Sequence, residues 1–238
     1  MSRFIITKDF WKSFPHAQIG VILAHDIDNT KESNLQFEEE IKVGLKKAEQ
    51  GAIGYLTEDV FSENSIIQIW RQAFRKFKKK KSAKSSIEAL MRRVYKKESI
   101  PSINPLVDLY NTVSLTYGLP CGGQDMDFFE GNLKLTLAKG GEPFLPIGDQ
   151  NQDDALPGEM IYKDDAGAVC RCLNWRDGQR TMLRESTTNA FLVMESMQVE
   201  RIGDLKGALE MLAELIQHYL GGKCEIYLLN CEQPEVKL

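Results

Sequence analysis

The sequence lacks any apolar run that approaches the roughly 20 residues of a membrane-spanning helix. Its N-terminal stretch, MSRFIITKDFWKSFP, is interrupted by charged side chains and is too short for a secretory signal peptide. We therefore expect a cytoplasmic protein that makes no association with a membrane.

The sequence also lacks a cysteine framework. It contains five cysteines, an odd number, and none of them forms a C-x-x-C pair. The spacing of the cysteines and of the three histidines matches no zinc-ligand pattern. We therefore expect no disulfide scaffold and no metal, and we interpret the cysteines as free, buried thiols.

Motifs that cradle phosphates or activate a nucleophile are absent as well. There is no G-x-x-x-x-G-K-[ST] and no G-x-G-x-x-G after a predicted strand. The G-x-S-x-G elbow of serine hydrolases and the H-x-E and C-x-x-C motifs of zinc deaminases are also missing. We therefore expect no bound cofactor.

What the sequence does contain is a strong charge asymmetry. Its 238 residues carry a net charge of −4, but residues 71–97 hold twelve Lys or Arg and one acid. This segment is therefore +11 and the remainder −15, which favours a partner with an anionic backbone at one place. A solvated helix end would have the same composition. The candidate RNA-binding residues are Arg71, Arg75, Lys78, Lys79, Lys80, Lys81, Arg92 and Arg93.

Hydrophobic periodicity predicts an α+β (mixed α/β) fold in which helices pack over antiparallel-rich β-sheets. We expect one domain over residues 1–238, with a helix-rich, basic N-terminal half (about 1–100) and a strand-rich core (about 101–238). Helices are predicted at 31–49, 62–77, 86–97, 104–117 and 204–219. Strands are predicted at 15–25, 132–138, 158–162, 168–174, 189–197 and 224–229, with a short extended piece at 143–147.

Residues 99–125 have the clearest local pattern. Asn104 can cap a helix, Pro105 suits its first position, and Gly118 can end it. Residues 121–125, CGGQD, are interpreted as a glycine loop whose backbone can approach a ligand. The pattern is typical of a binding site, and an ordinary half-buried helix would have it too. The polar residues of the stretch are Asn104, Asp108, Asn111 and Ser114.

Polar side chains within otherwise apolar elements are the candidate site residues. Glu195 follows the apolar run 190–194, so it either faces a pocket as a catalytic carboxylate or marks where a strand meets water. Trp175 beside Arg176 either stacks on a base or forms core with a snorkelling guanidinium. The set is Asn104, Asp108, Asn111, Asp125, Glu159, Asn174, Arg176 and Glu195.

Several linked motifs carry a family resemblance. Residues 99–120 (SIPSINPLVDLYNTVSLTYGLP), then Gln124 and Asp125, then residues 131–149 (GNLKLTLAKGGEPFLPIGD) resemble the B3/B4 module of the bacterial phenylalanyl-tRNA synthetase beta chain. Residues 158–181 (GEMIYKDDAGAVCRCLNWRDGQRT) are instead similar to stand-alone B3/B4 proteins, in which Asn-Trp-Arg follows a long strand.

The resemblance covers about residues 15–230 and is strongest at 99–148. It implies binding of tRNA or aminoacyl-tRNA, because the synthetase module hydrolyses tRNA wrongly charged with Tyr, using a His and a Glu. Glu195 roughly matches that Glu and is the implied catalytic residue, with Gly122 and Gly123 in the substrate-binding set. Gly122 stands at the family's His position, which argues against Tyr-specific editing.

Nothing in the sequence resembles an ATP-binding class II aminoacylation core, so we expect no ligase activity from this chain alone. The expected function is a tRNA-binding module that acts in trans as an aminoacyl-tRNA deacylase, which is an ester hydrolase. The alternatives are a small-molecule or amino-acid-binding protein or enzyme that kept the fold without binding tRNA, and a structural partner of a synthetase. The sequence sets neither the amino acid nor the oligomeric state.

Overall fold

A computed structural model describes residues 2–30 and 35–238, without the side chains of residues 35 and 36. The described residues form six α-helices and ten strands. The helices are α1 (Lys8–Ser13), α2 (Leu35–Ala52), α3 (Ser65–Ala73), α4 (Ser86–Lys96), α5 (Pro105–Tyr117) and α6 (Ile202–Leu220). The strands are β1 (Arg3–Ile6), β2 (Gln18–His25), β3 (Cys121–Asp125), β4 (Leu133–Leu137), β5 (Met160–Lys163), β6 (Ala168–Arg171), β7 (Arg176–Asp177), β8 (Ala190–Ser196), β9 (Lys223–Leu229) and β10 (Glu235–Lys237).

The strands build two sheets. The larger has the order β10-β1-β4-β5-β6-β7, and the smaller has the order β3-β8-β2-β9. All pairs of the smaller sheet are antiparallel, and β1 with β4 is the parallel pair of the larger one. This confirms the predicted α+β class with antiparallel-rich sheets.

The smaller sheet separates two apolar cores. Side chains alternate along β8, so Phe191 and Val193 point to one face and Leu192 and Met194 to the other. The first pair packs with residues of the larger sheet, including Tyr162, and with α1, α3 and α4. The second pair packs against α5 and α6. Any polar side chain on the Phe191 face of β8 is therefore held between the sheets.

Most predicted elements are confirmed in place. The helix predicted at 104–117 is α5, with the side chain of Asn104 accepting the N–H of Val107 at 3.0 Å and Gly118 ending the helix at φ 60°. The strands predicted at 158–162 and 168–174 are the antiparallel neighbours β5 and β6, although β6 already ends at Arg171. The helix predicted at 31–49 is α2, whose bounds are Leu35–Ala52, and its predicted first turn lies outside the described residues.

Other expectations about secondary structure were wrong. The predicted loop CGGQD is strand β3, because its backbone pairs in register with β8 from Cys121 to Asp125. The extended piece predicted at 143–147 is not a strand and makes one isolated bridge through Pro146. The short elements β1, α1 and β10 were not predicted. Two strands come from the N-terminal part of the chain: β1 belongs to the larger sheet and β2 to the smaller one.

All five cysteines are free, and Cys121, Cys170 and Cys172 are buried. Among the described residues, no helix is long and apolar enough to cross a membrane.

Candidate functional site

A polar cluster lies between the two sheets, around Glu195 of β8. The side chain of Glu195 is fully buried on the face that also carries Phe191 and Val193. Its Oε1 accepts the hydroxyl proton of Tyr162 at 2.8 Å, and its Oε2 accepts an amide proton of Asn174 at 2.9 Å. Each carboxylate oxygen therefore accepts a hydrogen bond. One comes from Tyr162 of β5, and the other comes from Asn174 in the turn between β6 and β7.

The protonation of Glu195 is shifted into the neutral range. Burial raises the pKa of this carboxyl to about 7, because the charged form loses its hydration. The hydrogen bonds from Tyr162 and Asn174 favour the carboxylate and oppose the pKa shift. A carboxyl with such a pKa can accept or release a proton near neutral pH, as a general acid or base must.

A second carboxyl, Asp177 of β7, adjoins the cluster. Gln124 donates to Asp177 at 2.6 Å and accepts from the hydroxyl of Thr181 at 2.6 Å. Asp177 is half-buried as a residue. Burial of its carboxyl raises the pKa of Asp177, and hydrogen bonds from Cys170 and Gln124 oppose this shift. Burial also raises the pKa of the Cys170 thiol well above its usual range, so this thiol stays protonated and is a poor nucleophile.

A strained turn holds Asn174 in the cluster. Cys172 and Leu173 are fully buried and have φ angles of 49° and 61°, a left-handed conformation that residues with a side chain rarely adopt. Beyond them, the Oδ1 of Asn174 accepts the backbone N–H of Ser86 at 3.1 Å. Asn174 thus connects the first residue of α4 to the carboxylate of Glu195.

A basic cavity of about 420 Å³ lies between α3 and α4. Glu88, the acidic residue of its lining, is buried and accepts from Arg71 at 2.8 Å and from Arg92 at 3.3 Å. Five of the eight predicted RNA-binding residues line this cavity, together with Lys84. The basic residues of the lining are Arg71, Arg75, Lys79, Lys81, Lys84 and Arg92.

The other three predicted RNA-binding residues do not line the basic cavity. Lys78 is exposed. Lys80 forms an ion pair with Asp153, and Arg93 donates to the carbonyl of Ser99 at 3.2 Å. Lys80 and Arg93 are therefore already used in contacts within the chain.

The predicted site residues of α5 stabilise the start of that helix. Asn104 caps it through Val107, and the carboxylate of Asp108 accepts the N–H of Ile103 at 3.0 Å. Asn111 is half-buried farther along the helix. Because α5 packs on the opposite face of the smaller sheet from Glu195, these residues are not brought into the polar cluster.

The two glycines of β3 have different surroundings. A side-chain carbon at Gly123 would lie 2.6 Å from the Cδ1 of Leu183 and 2.8 Å from the Cδ2 of Leu192, so a larger residue there would have to displace these side chains. At Gly122 the nearest atom would be Val193 at 4.0 Å, which leaves open space on the face that carries Glu195. Asp125 caps the short 3-10 turn that follows β3.

The remaining predicted residues lie elsewhere. Glu159 forms a fully buried ion pair with Arg171, with Oε1 to Nη2 at 2.6 Å. Arg171 also lies over the ring of Phe144, which packs on the face of β5 opposite to the polar cluster. Arg176 pairs with Asp149 at 2.8 Å in a partly exposed contact.

Of the predicted catalytic and substrate-binding set, the structure therefore groups Gly122, Asn174 and Glu195. The sequence offered a weak signal for Asp177, which directly follows the Trp-Arg pair, and none that singled out Tyr162. Within the described parts of the chain, no group of His, Cys, Asp or Glu has the arrangement of a metal site. The residues that sequence reasoning missed are Ser86, Gln124, Tyr162, Cys170 and Asp177.

A third feature is an apolar groove of about 650 Å³ between α2, α5 and α6. Its exposed wall is mostly apolar and includes Ile41, Ala48, Leu109, Met211 and Leu215. Its volume lies within the range of small-molecule sites. It lies on the helix side of the smaller sheet, away from Glu195.

The structure thus has two β-sheets with a buried carboxyl cluster between them and a basic cavity between α3 and α4. A family model described as the B3/4 domain matches residues 69–221, which is more than half of the chain. The chain therefore belongs to the B3/4 domain family, and the resemblance stated from the sequence is confirmed.

Curated relatives include two phenylalanine–tRNA ligase beta subunits. That of Mycoplasma pneumoniae is 28% identical over 105 residues, which is 44% of this chain and 13% of the relative. That of Ruegeria pomeroyi is 33% identical over 90 residues, 38% of this chain and 11% of the relative. The chain thus matches only a small part of these subunits.

Among solved structures, an N-terminal fragment of the phenylalanyl-tRNA synthetase beta subunit from Pyrococcus horikoshii is similar at a TM-score of 0.46 and 11% identity. The similarity covers 93% of this chain and 49% of that fragment.

Proposed function

We propose that this chain is a cytoplasmic, single-domain tRNA-binding module that hydrolyses misacylated aminoacyl-tRNA in trans and is not itself an aminoacyl-tRNA ligase. The observation that carries the proposal is the position of α4. One flank of this helix lines the basic cavity, and its first residue is bonded through Asn174 to Glu195. The basic cavity on α4 and the carboxyl of Glu195 on β8, whose pKa is near neutral, are therefore connected through Asn174.

Binding of RNA is supported by the charge of the cavity. Its lining contains six basic side chains and one acidic side chain, and that acid is already bonded to two arginines. Contacts from Lys and Arg to phosphates provide most of the sequence-independent affinity for nucleic acids. The B3/4 family model covers the cavity, because it matches residues 69–221, and two relatives of the chain are phenylalanine–tRNA ligase beta subunits.

The hydrolytic step assigns a role to Glu195. In the proposal, a water molecule adds to the ester carbonyl of the aminoacyl-tRNA while the carboxylate of Glu195 accepts its proton. The C–O bond to the ribose then breaks, which releases the amino acid and returns a proton to the ribose oxygen. The pKa of about 7 suits this exchange, and the space beside Gly122 lies on the same face of the sheet.

Filter binding over a range of salt concentrations tests the RNA-binding half. A triple variant with Arg75→Gln, Lys79→Gln and Lys81→Gln should weaken tRNA binding and reduce the slope of log K against log salt by about 0.9 for each phosphate that is no longer neutralised. A control variant should keep both values, because its charges are exposed and lie outside the cavity. Its substitutions are Lys46→Gln, Lys206→Gln and Lys223→Gln. Equal effects of the two variants would contradict the assignment of the cavity.

A deacylation panel across mischarged tRNAs tests the hydrolytic half. Glu195→Gln should lower the deacylation rate of the preferred substrate by roughly 100-fold or more, the usual contribution of a general base. Tyr162→Phe removes one hydrogen bond to Glu195 but keeps its carboxyl, so it should shift the pH profile of the rate rather than abolish it. Unchanged deacylation by the Glu195→Gln variant, with tRNA still bound, would remove Glu195 from the mechanism.

The apolar groove favours a second candidate function, which is binding of a small apolar or aromatic molecule without tRNA. Its mostly apolar walls, which include Leu109, Met211 and Leu215, are typical of small-molecule sites. A pull-down at low salt followed by sequencing of bound RNA separates the two candidates. Recovery of tRNA supports the first candidate. Absence of RNA together with a thermal shift on free aromatic amino acids supports the second.

A further inference from the structure

Four cations of the basic cavity have no anionic partner among the described residues. The side chains of Arg75, Lys79, Lys81 and Lys84 form no hydrogen bond or ion pair with any described residue. Lys79 and Lys84 are half-buried, and Arg75 and Lys81 are exposed. Unpaired like charges that converge on one concave surface repel each other and are stabilised when an anion is bound.

Glu88 positions the arginines of the cavity. It accepts from both Nε and Nη2 of Arg71, which orients the guanidinium side-on. The Nη1 of Arg71 makes no hydrogen bond within the described residues, so this donor is available to a ligand. Arg92 is held by the same carboxylate and lies over the ring of Phe61 at 4.5 Å.

The cavity is built by two helices and the segment that joins them. Its walls come from α3 and α4, and the segment that connects the two helices lines it between them. The buried side chains of Phe74 and Ala83 belong to this lining.

We propose that the basic cavity binds the 5′-terminal monophosphate of an RNA chain, an inference that rests on the proposed binding of tRNA. A phosphomonoester carries about −1.5 to −2 charges at neutral pH and presents three free oxygens, whereas an internal phosphodiester carries about one charge and presents two. The four unpaired cations and the free donor of Arg71 favour the group with the larger negative charge and the greater number of free oxygens. Guanidinium groups also bind phosphate oxygens in a bidentate manner.

Two RNAs of one sequence test the inference, an acceptor-stem hairpin with a 5′-phosphate and the same hairpin with a 5′-hydroxyl. Binding is followed by fluorescence anisotropy at fixed ionic strength. The 5′-phosphate should strengthen binding to the unmodified protein by roughly tenfold or more, as expected for one or two charge-assisted hydrogen bonds. The Lys79→Gln/Lys81→Gln variant should bind both RNAs with nearly equal affinity.

Matched variants separate this effect from general electrostatics. Lys46→Gln/Lys206→Gln removes the same charge from exposed positions outside the cavity and should keep the affinity ratio of the two RNAs. Lys78→Gln removes charge from the same lysine run outside the lining, and it should change the affinities of both RNAs by the same factor. Circular dichroism melts of each variant show that the fold is intact.

Three results would overturn the inference. Equal affinity of the unmodified protein for both hairpins would refute recognition of the 5′ end and leave the proposed binding of tRNA standing. Binding of neither hairpin would refute both. Binding of a nucleoside 5′-monophosphate alone as tightly as the phosphorylated hairpin would make the cavity a mononucleotide site instead.

Discussion

The protonation of Glu195 should make the stability of the protein depend on pH in a direction opposite to that of most carboxyls. Its pKa is about 7 in the folded protein against an ordinary value of 4.5, because the side chain is fully buried. The folded state therefore binds the proton more tightly than the unfolded state does. The resulting stabilisation is complete below about pH 4.5 and is lost as the pH rises through about 7.

The size of the effect follows from the two pKa values. Between about pH 5 and about pH 8, the contribution of Glu195 to the free energy of unfolding should fall by about 2.5 kcal/mol. Glu195→Gln removes this titration, since an amide carries no proton that dissociates in this range. The difference in unfolding free energy between the variant and the unmodified protein should therefore move by about 2.5 kcal/mol in favour of the variant across that interval.

Urea unfolding of both proteins at the two pH values measures this difference. Comparing differences removes the effect of the substitution on packing, and it also removes titrations that the two proteins share, such as that of Asp177. Tyr162→Phe provides a control, because loss of its hydrogen bond should raise the pKa of Glu195 and extend the pH dependence to higher pH. A change below about 1 kcal/mol between the two pH values would refute the buried, shifted carboxyl.

Three further predictions concern stability and are checked by urea unfolding. Gly123→Ala should cost about 1–2 kcal/mol through overpacking, while Gly122→Ala, where the space is open, should stay within about 0.5 kcal/mol of the unmodified protein. Asn104→Ala should cost about 1–3 kcal/mol, because it removes the helix cap and a buried hydrogen-bond partner. Glu159→Gln should cost up to about 3 kcal/mol by leaving the charge of Arg171 less compensated, and equal stability would contradict the buried ion pair.

The elements that sequence reasoning predicted are those whose pattern is local. The heptad-like apolar spacing of α6 and the cap and proline at the start of α5 depend on neighbours within a few residues. The strand β1 depends on partners that are distant in sequence. It pairs with β4 and with β10, and β10 lies near the other end of the chain. The strand β3 has the sequence CGGQD, which contains no strong strand former, and it exists because β8 supplies its partner.

In the candidate site, too, some residues are indicated by the local sequence and others depend on the packing of distant elements. Glu195 was predicted because a charged residue ends an apolar run, which is visible in the sequence. Tyr162 could not be singled out, because its hydroxyl reaches Glu195 only through the packing of one sheet on the other. Asn104 and Asp108 satisfied the same sequence criterion as Glu195, a polar group in an apolar element, yet their hydrogen bonds stabilise a helix start. That criterion does not distinguish a cap from a site.

The turn before Asn174 indicates that the fold holds Ser86, Asn174 and Glu195 in fixed relative positions. Each left-handed residue costs about 1–3 kcal/mol, and both Cys172 and Leu173 adopt this conformation without being glycine. Such a turn persists only where its surroundings compensate, and here both side chains are fully buried in the core. The strain places the amide of Asn174 between Ser86 and Glu195, where each of its two hydrogen bonds contributes about 1 kcal/mol. A turn with fewer constraints would fold more easily but would leave α4 without its link to the carboxyl.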